Sequence, residues 1–186
     1  TCAYQVEIDA ACNRVLAHHW PDVPRNDDVN RVRAILEAKN ARRHRAARPI
    51  RPDLLCGGFP CQDVSVAGRR AGLAGSRSGL WWTFRRIVAL VRPRWILIEN
   101  VPGLLSSNCD RDMGAILWSL GQCGYGWAYR CLDAQHFGVP QRRNRVFIVG
   151  CLGDMRRASQ VLFESTCSEW NTSQGREAGQ EVAASL

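Results

Sequence analysis

The sequence predicts an α/β fold built on a largely parallel sheet. Short apolar runs that are typical of buried strands alternate with longer segments whose apolar residues recur at helical spacing. Acidic or glycine-rich segments follow several of the apolar runs, and in such sheets ligands bind beyond the carboxyl ends of the strands. The 186 residues, 46% hydrophobic and 23% charged, are enough for one globular domain with a sizeable core.

The N-terminal elements are predicted from apolar spacing and from capping residues. Residues 3–8 form a strand, and Asp9 caps the helix that follows. That helix ends where Trp20 precedes Pro21, because the residue before a proline is disfavoured in a helix. Residues 31–48, rich in arginine and alanine, are either a helix or a loop.

The remaining elements are bounded by glycine and proline. They are, in chain order, a strand at 54–56, a loop at 57–78, a helix at 80–91, a strand at 94–99, a helix at 110–120 closed by Gly121, and strands at 126–132 and 145–151 separated by a loop that holds Pro140. After Gly153 the composition becomes polar, which predicts a linker or the start of another region.

Charge and hydropathy limit the class of protein. The net charge is +8 and Lys39 is the only lysine, so the basic side chains are nearly all arginine, which suits phosphate and base-edge contacts. The alternative explanation for the arginine excess is codon usage in a GC-rich genome. No apolar run approaches the roughly 20 residues that span a bilayer. Glu7 and Asp9 stand where a signal peptide needs a basic and then an apolar region, so we expect a cytoplasmic protein.

The nine cysteines form no regular framework. No Cys-x-x-Cys pair occurs, so we predict no metal site. Most of these residues are expected to be reduced and to behave as small hydrophobic side chains. Cys61 is different because of its neighbours.

Three blocks of sequence carry residues with useful chemistry. Asp53-Leu-Leu-Cys-Gly-Gly-Phe-Pro-Cys-Gln62 places Cys61 in a loop shaped by glycine and proline. Glu99-Asn-Val101 ends a second apolar run, and Gln141-Arg-Arg-Asn-Arg145 precedes a third. In content and in order these blocks resemble the central catalytic portion of the DNA (cytosine-5) methyltransferase family, over about residues 6–150.

The resemblance implies a Rossmann-like fold that uses S-adenosylmethionine, with methyl transfer to C5 of a cytosine that is flipped out of double-stranded DNA. It also implies an incomplete domain, because the family's first strand with its Phe-x-Gly-x-Gly loop and its target-recognition region are not in the sequence. We therefore expect residues 1–153 to be a partial catalytic domain and 154–186 to be a linker or the start of the recognition region. A longer parent protein would be active, and this segment alone weak or inactive.

The resemblance assigns the catalytic roles to four residues. Cys61 is the nucleophile, since addition of a thiolate at C6 of the ring creates an enamine-like intermediate whose C5 attacks a methyl group. Glu99 contacts N3 and accepts from the exocyclic amine, and burial beside the apolar Ile96 and Ile98 is expected to favour its protonated form. Arg145 contacts the base carbonyl O2, and Arg143 braces the site or contacts the DNA backbone. The alternatives are a buried structural cysteine, a carboxylate in a salt bridge at a strand end, and a solvated basic turn.

The same resemblance suggests the residues that bind the cofactor. Glu7 corresponds to the acid that holds the ribose hydroxyls, and Asp28 with Val29 to the pair that reads the adenine amine. Leu80 and Pro60 are expected to line the same pocket. As alternatives, Glu7 and Asp28 are helix-capping or surface charges.

Three other interpretations of the whole chain stay open. The first is an RNA cytosine methyltransferase. The second is an inactive relative that binds DNA without chemistry, in a salt-dependent way. The third is a split enzyme whose recognition region lies on a complementing chain. The arginines available for simple DNA binding are Arg42, Arg43, Arg45, Arg48, Arg69 and Arg70. The sequence names neither the DNA target nor a role in restriction–modification, phage self-protection or regulation.

Overall fold

The computed structural model describes residues 2–41, 52–59 and 80–163. The helices and strands are, in chain order, β1 (Gln5–Val6), α1 (Ala10–His19), β2 (Arg25–Asn26), α2 (Val29–Ala41), β3 (Leu54–Gly57), α3 (Leu80–Val91), β4 (Trp95–Asn100), α4 (Arg111–Gln122), β5 (Tyr125–Asp133), β6 (Asn144–Leu152) and α5 (Met155–Leu162). The alternation of strands and helices confirms the predicted α/β class.

The main sheet is mixed, and the prediction of a largely parallel sheet is wrong for its second half. Its four strands lie in the order β3-β4-β6-β5, with β3 parallel to β4 and with β6 antiparallel to both of its neighbours. The chain passes from β5 to β6 through residues 134–143, which begin with a 3₁₀ turn at Ala134–Phe137, whereas a parallel pair needs a crossover of a dozen or more residues. The short strands β1 and β2 form a separate parallel pair.

The core packs α3 and α4 against one face of the sheet, around β4. Ile96 and Ile98 of β4 are almost completely buried and belong to one cluster with Val88 of α3 and Leu120 of α4. Burial of one such side chain stabilises the fold by roughly 1.5–3 kcal/mol. The carboxyl end of β4 is therefore a well-packed support for the residues that follow Ile98.

The chain after residue 153 continues as a packed helix, where the sequence analysis predicts a polar tail. Asp154 caps α5 by accepting a hydrogen bond from the backbone N–H of Arg156 at 2.9 Å. Ala158 is completely buried in a cluster on the other face of the sheet. The packed region therefore extends to Phe163, and the proposed division of the chain at residue 153 stays a prediction.

The predicted strand at 3–8 is limited to Gln5–Val6, and the strand β2 was not predicted, but the helices follow the sequence more closely. Asp9 caps α1 as predicted, accepting from the backbone N–H groups of Cys12 and Ala11 at 2.8 Å each, and these hydrogen bonds lower the pKa of its carboxyl group. Helix α2 resolves the choice between helix and loop in favour of a helix over its described part. Helix α4 does not close at Gly121 but continues to Gln122.

Some predictions concern residues that the structure does not describe. They include most of the loop predicted at 57–78, and the six arginines considered for simple DNA binding. Among the described residues, none of the helices is long and apolar enough to span a bilayer. In the same part of the chain, no group of three or more histidine, cysteine or acidic residues is arranged to hold a metal ion.

Candidate active site

One edge of the main sheet collects three of the predicted catalytic segments. Strands β3 and β4 are parallel, so their carboxyl ends lie side by side, and Gly58 follows β3 at this edge. Strand β6 runs the other way, so its first residues lie next to the end of β4, with Phe147 opposite Glu99. The antiparallel direction of β6 therefore brings Arg143 and Arg145 to the same edge as Glu99.

Glu99 forms an ion pair with both of these arginines. Its Oε1 lies 2.9 Å from Nε of Arg145 and 3.6 Å from Nη2 of Arg143. The Glu99 side chain is 40% exposed and that of Arg145 is 24% exposed, so the expectation of a buried Glu99 is wrong. An ion pair with this exposure contributes only about 0–1 kcal/mol to stability. The three side chains therefore form a charged cluster that is open to a ligand.

The loop after β3 passes very close to Glu99. A Cβ atom on Gly58 would lie 3.1 Å from the Glu99 carbonyl oxygen and 3.3 Å from its Oε2, which is tighter than almost all real Cβ contacts. Phe59, the next residue, is buried, and its ring lies 5.8 Å from the ring of Trp81. Glycine permits the close approach and the buried phenylalanine anchors the loop, two residues before Cys61.

Asn100 is a residue of this site to which sequence reasoning assigned no role. It follows Glu99 at the end of β4 and is only 3% exposed. Its Nδ2 donates to the Phe59 carbonyl oxygen at 3.2 Å, and its Oδ1 accepts from the backbone N–H of Val101 at 2.9 Å. A polar residue at the end of an apolar strand was the available signal, because buried polar side chains need hydrogen-bond partners.

Asp133 holds the loop that delivers the arginines. Its Oδ1 accepts from the backbone N–H of Arg143 at 3.0 Å and from that of Gln135 at 3.2 Å. The backbone N–H of Ala134 donates in turn to the Arg143 carbonyl oxygen at 3.1 Å. The turn between β5 and β6 is thus fixed from both sides, and sequence reasoning missed this residue as well.

The predicted cofactor acids lie at the end of the small strand pair. Because β1 and β2 are parallel, Glu7 and Asp28 follow their strands at the same edge. Glu7 Oε1 accepts from the backbone N–H of Asp9 at 2.9 Å. Asp28 Oδ1 accepts from the backbone N–H of Asn30 at 2.8 Å. Asp28 therefore caps the start of α2, as the helix-capping alternative predicts.

A single cavity of about 540 Å³ joins the two groups of residues. It is lined by every predicted site residue within the described part of the chain: Glu7, Asp28, Val29, Leu80, Glu99, Arg143 and Arg145. Gly58, Phe59 and Asn100 also line it. The predicted nucleophile Cys61 and the predicted cofactor residue Pro60 lie outside the described residues. The individual roles of all these residues stay predictions.

Cys56, the other cysteine of the first block, does not have the character of a nucleophile. It lies within β3 and does not line the cavity. Desolvation raises the pKa of the Cys56 thiol above its ordinary value, which disfavours the reactive thiolate form. The nucleophile is therefore better sought in the loop after β3 than within the strand.

The fold and the cavity together define an α/β protein with a cavity at the carboxyl ends of β1, β3 and β4. A family model described as C-5 cytosine-specific DNA methylase matches residues 1–182. The chain belongs to this family, which confirms the resemblance that its sequence blocks suggested.

Individual relatives agree with this assignment. The chain is 38% identical over 170 residues to the Type II methyltransferase M2.BsuMI of Bacillus subtilis (strain 168), covering 88% of this chain and 39% of that protein. It is 32% identical over 152 residues to the Type II methyltransferase M.BanI of Aneurinibacillus aneurinilyticus, covering 82% of this chain and 32% of that protein. The chain therefore spans well under half the length of these relatives.

A solved structure shows the same fold. It is that of a candidate DNA modification methyltransferase encoded within an E. coli prophage, with a TM-score of 0.63 and 23% sequence identity. The match covers 89% of this chain and 42% of that protein. The likeness confirms the predicted Rossmann-like methyltransferase fold class.

Proposed function

We propose that this chain is catalytic machinery of an enzyme that transfers a methyl group from S-adenosylmethionine to C5 of cytosine in DNA. The observation that carries the proposal is the single cavity in which Glu99 and Arg145 lie beside the loop leading to Cys61. Membership of the C-5 cytosine-specific DNA methylase family supports it.

The reaction needs a nucleophile for C6 of the ring, and Cys61 is proposed to supply it. The thiolate adds to C6, and the electrons that this releases into the ring make C5 nucleophilic. After C5 has gained the methyl group, loss of its proton and departure of the thiolate from C6 restore the aromatic ring and the free cysteine.

Glu99 and Arg145 are proposed to grip the same ring. A carboxyl group at N3 with a guanidinium at the carbonyl O2 would stabilise the charge that develops on the ring when the thiolate adds. Their contact, 2.9 Å between Glu99 Oε1 and Arg145 Nε, supports a shared position for one small planar ligand. Arg143, 3.6 Å from the same oxygen, would brace Glu99 or contact the DNA backbone.

The residues at the other end of the cavity fit S-adenosylmethionine. Glu7 offers carboxylate oxygens for vicinal ribose hydroxyls, Asp28 offers an acceptor for an amine, and Val29 and Leu80 offer apolar surface. When bound, this cofactor supplies an electrophilic methyl group and leaves as the thioether. Pro60 is proposed to pack near it.

The proposed substrate is double-stranded DNA with the target cytosine flipped out, because a base inside the helix cannot reach such a cavity. The chain spans less than two fifths of the length of the first relatives described above, so recognition of a DNA sequence is proposed to need further residues. Those residues would lie elsewhere in a longer protein or on a complementing chain.

The test is transfer of a labelled methyl group from S-adenosylmethionine to duplex DNA, with the full-length protein and the Cys61→Ala variant. We expect the wild type to label cytosine at C5 and the variant to be inactive. DNA that contains 5-fluorocytosine should form a covalent adduct with wild type but not with Cys61→Ala, since fluorine blocks the loss of the C5 substituent. Cys131→Ala, an exposed cysteine on β5, is the matched control and should retain activity.

Three outcomes would contradict the proposal, and a fourth would identify its arrangement. Methyl transfer by Cys61→Ala would exclude the covalent mechanism. Salt-dependent DNA binding by the wild type without transfer or adduct would favour the passive DNA-binding protein. Transfer to tRNA in preference to duplex DNA would instead favour the RNA methyltransferase, and activity that appears only on mixing with a second chain would identify a split enzyme.

A further inference from the structure

We propose that Asn100 is a positioning residue that holds the loop carrying Cys61 in register with Glu99. The proposal rests on the proposed function, because it assigns Asn100 to the same reaction. Asn100 itself does not need to touch the substrate. It acts through the backbone of Phe59, two residues before the nucleophile.

The two hydrogen bonds of Asn100 tie two strand ends together. Its Nδ2 reaches the Phe59 carbonyl oxygen, after β3, at 3.2 Å. Its Oδ1 reaches the backbone N–H of Val101, after β4, at 2.9 Å. Strand β4 thus places Glu99 and, with the next residue, fixes the loop that leads to Cys61.

The burial of Asn100 makes this connection stiff. With 3% of its surface exposed, the side chain has little water with which to replace the Phe59 contact. The ring of Phe59 is anchored separately against Trp81, with 5.8 Å between ring centroids. The loop is therefore held at a carbonyl and at a side chain of the same residue, and loss of the carbonyl bond would leave it free to pivot about the ring.

The test uses substitutions that separate the two hydrogen bonds. Asn100→Asp has nearly the same shape and keeps the acceptor for Val101, but it places a second acceptor against the Phe59 carbonyl oxygen. Asn100→Ser removes the contact with Phe59 without adding charge, and it serves if the aspartate variant does not fold. Asp112→Asn is the matched control. Asp112 lies on α4 away from the cavity, is about as buried as Asn100, and accepts a hydrogen bond from the Ser107 hydroxyl at 2.5 Å.

In the full-length protein, we expect Asn100→Asp to form the adduct with 5-fluorocytosine DNA about 10- to 100-fold more slowly than wild type, because a small misplacement of a reacting group has effects of this size. The apparent affinities for DNA and S-adenosylmethionine should stay unchanged. The Asp112→Asn control should react at the wild-type rate, even if its unfolding midpoint falls.

The pH profile distinguishes positioning from a general loss of structure. A protonated Asp at position 100 can again donate to the Phe59 carbonyl oxygen, so the ratio of variant rate to wild-type rate should rise as the pH falls. Asn100→Ser, which has no titrating group, should show a constant ratio. A constant ratio for Asn100→Asp, or an adduct rate equal to that of the control, would overturn the proposal.

A second readout does not depend on methyl transfer. Cys61 alkylation by iodoacetamide, followed by mass spectrometry without DNA or cofactor, should change in rate in both Asn100 variants, while alkylation of the exposed Cys131 should not. If the wild type proves inactive on DNA, the proposed function fails, and this measurement still decides the positioning role. Equal Cys61 rates in wild type and variants would overturn it.

Discussion

Replacement of Gly58 by alanine should slow the proposed methyl transfer without unfolding the protein. The backbone of Gly58 does not lie in the left-handed region, so an alanine is tolerated there as far as conformation is concerned. The obstacle is space, because its Cβ would stand 3.1 Å from the Glu99 carbonyl oxygen and 3.3 Å from Glu99 Oε2. Ordinary van der Waals contact for such a pair begins near 3.4 Å.

The magnitude follows from which atom can move. The carbonyl oxygen belongs to β4, which is packed on both sides, so the loop must shift by a few tenths of an ångström. The carboxylate is the end of a flexible side chain and will rotate away from Arg145, whose Nε lies 2.9 Å from Glu99 Oε1. We expect a rate of transfer lower by about 10- to 100-fold, in line with the effect of small misplacements in active sites. The free energy of unfolding should fall by about 1 kcal/mol.

Single-turnover methyl transfer by the full-length protein is the assay, with urea unfolding as the stability measurement. Gly114→Ala is the matched control, because a Cβ at Gly114 in α4 meets nothing within 4 Å. That change should raise the free energy of unfolding by about 0.5–1 kcal/mol and leave the rate alone. A wild-type rate in Gly58→Ala would refute the claim that the contact with Glu99 places the carboxylate for catalysis.

Three further predictions separate catalysis from stability. Glu99→Gln should slow transfer by roughly 10²- to 10⁴-fold. It should change the free energy of unfolding by less than about 1 kcal/mol, because the ion pairs of Glu99 are exposed. A rate near wild type would exclude Glu99 from the reaction. Asp133→Ala should reduce kcat about 10-fold by freeing the backbone of Arg143, with unchanged DNA affinity; an effect on affinity alone would indicate a contact with DNA. Gly126→Ala should lower the free energy of unfolding in urea by about 1–3 kcal/mol, because the new Cβ would overlap the backbone of Met155. An unaltered urea midpoint would show that α5 does not pack against β5 at Gly126.

Sequence patterns predicted the strand that is buried on both faces, β4, and the helix that is buried on one face, α3. Strand β4 was recognisable because residues 95–98 are all apolar, and both faces of this strand are covered in the structure. Helix α3 was bounded correctly at both ends, since its apolar spacing is clear and Pro93 follows it closely. The site residues were predicted from the family resemblance that the three blocks carry, and those in the described part of the chain line one cavity.

Features that depend on tertiary contacts were not predictable in the same way. The direction of β6 is decided by the short turn after β5, and apolar content alone carries no direction. Helix α5 was overlooked because few of its side chains are buried: Ala158 is completely buried and Leu162 packs against the same cluster, whereas Met155 and Val161 are exposed. The exposure of Glu99 was misjudged because the apolar neighbours in its strand say nothing about the open edge where the strand ends.

The direction of β6 has a chemical consequence that a parallel strand would not have. A parallel strand beside β4 would bring its carboxyl end to this edge, and its first residues would lie at the far end of the sheet. With β6 antiparallel, Arg145 lies within 2.9 Å of Glu99, and the turn held by Asp133 keeps Arg143 nearby. An exposed pair of this kind adds little to stability. The mixed sheet therefore lets the end of β4 present the carboxylate of Glu99 while the start of β6 presents the two arginines that face it.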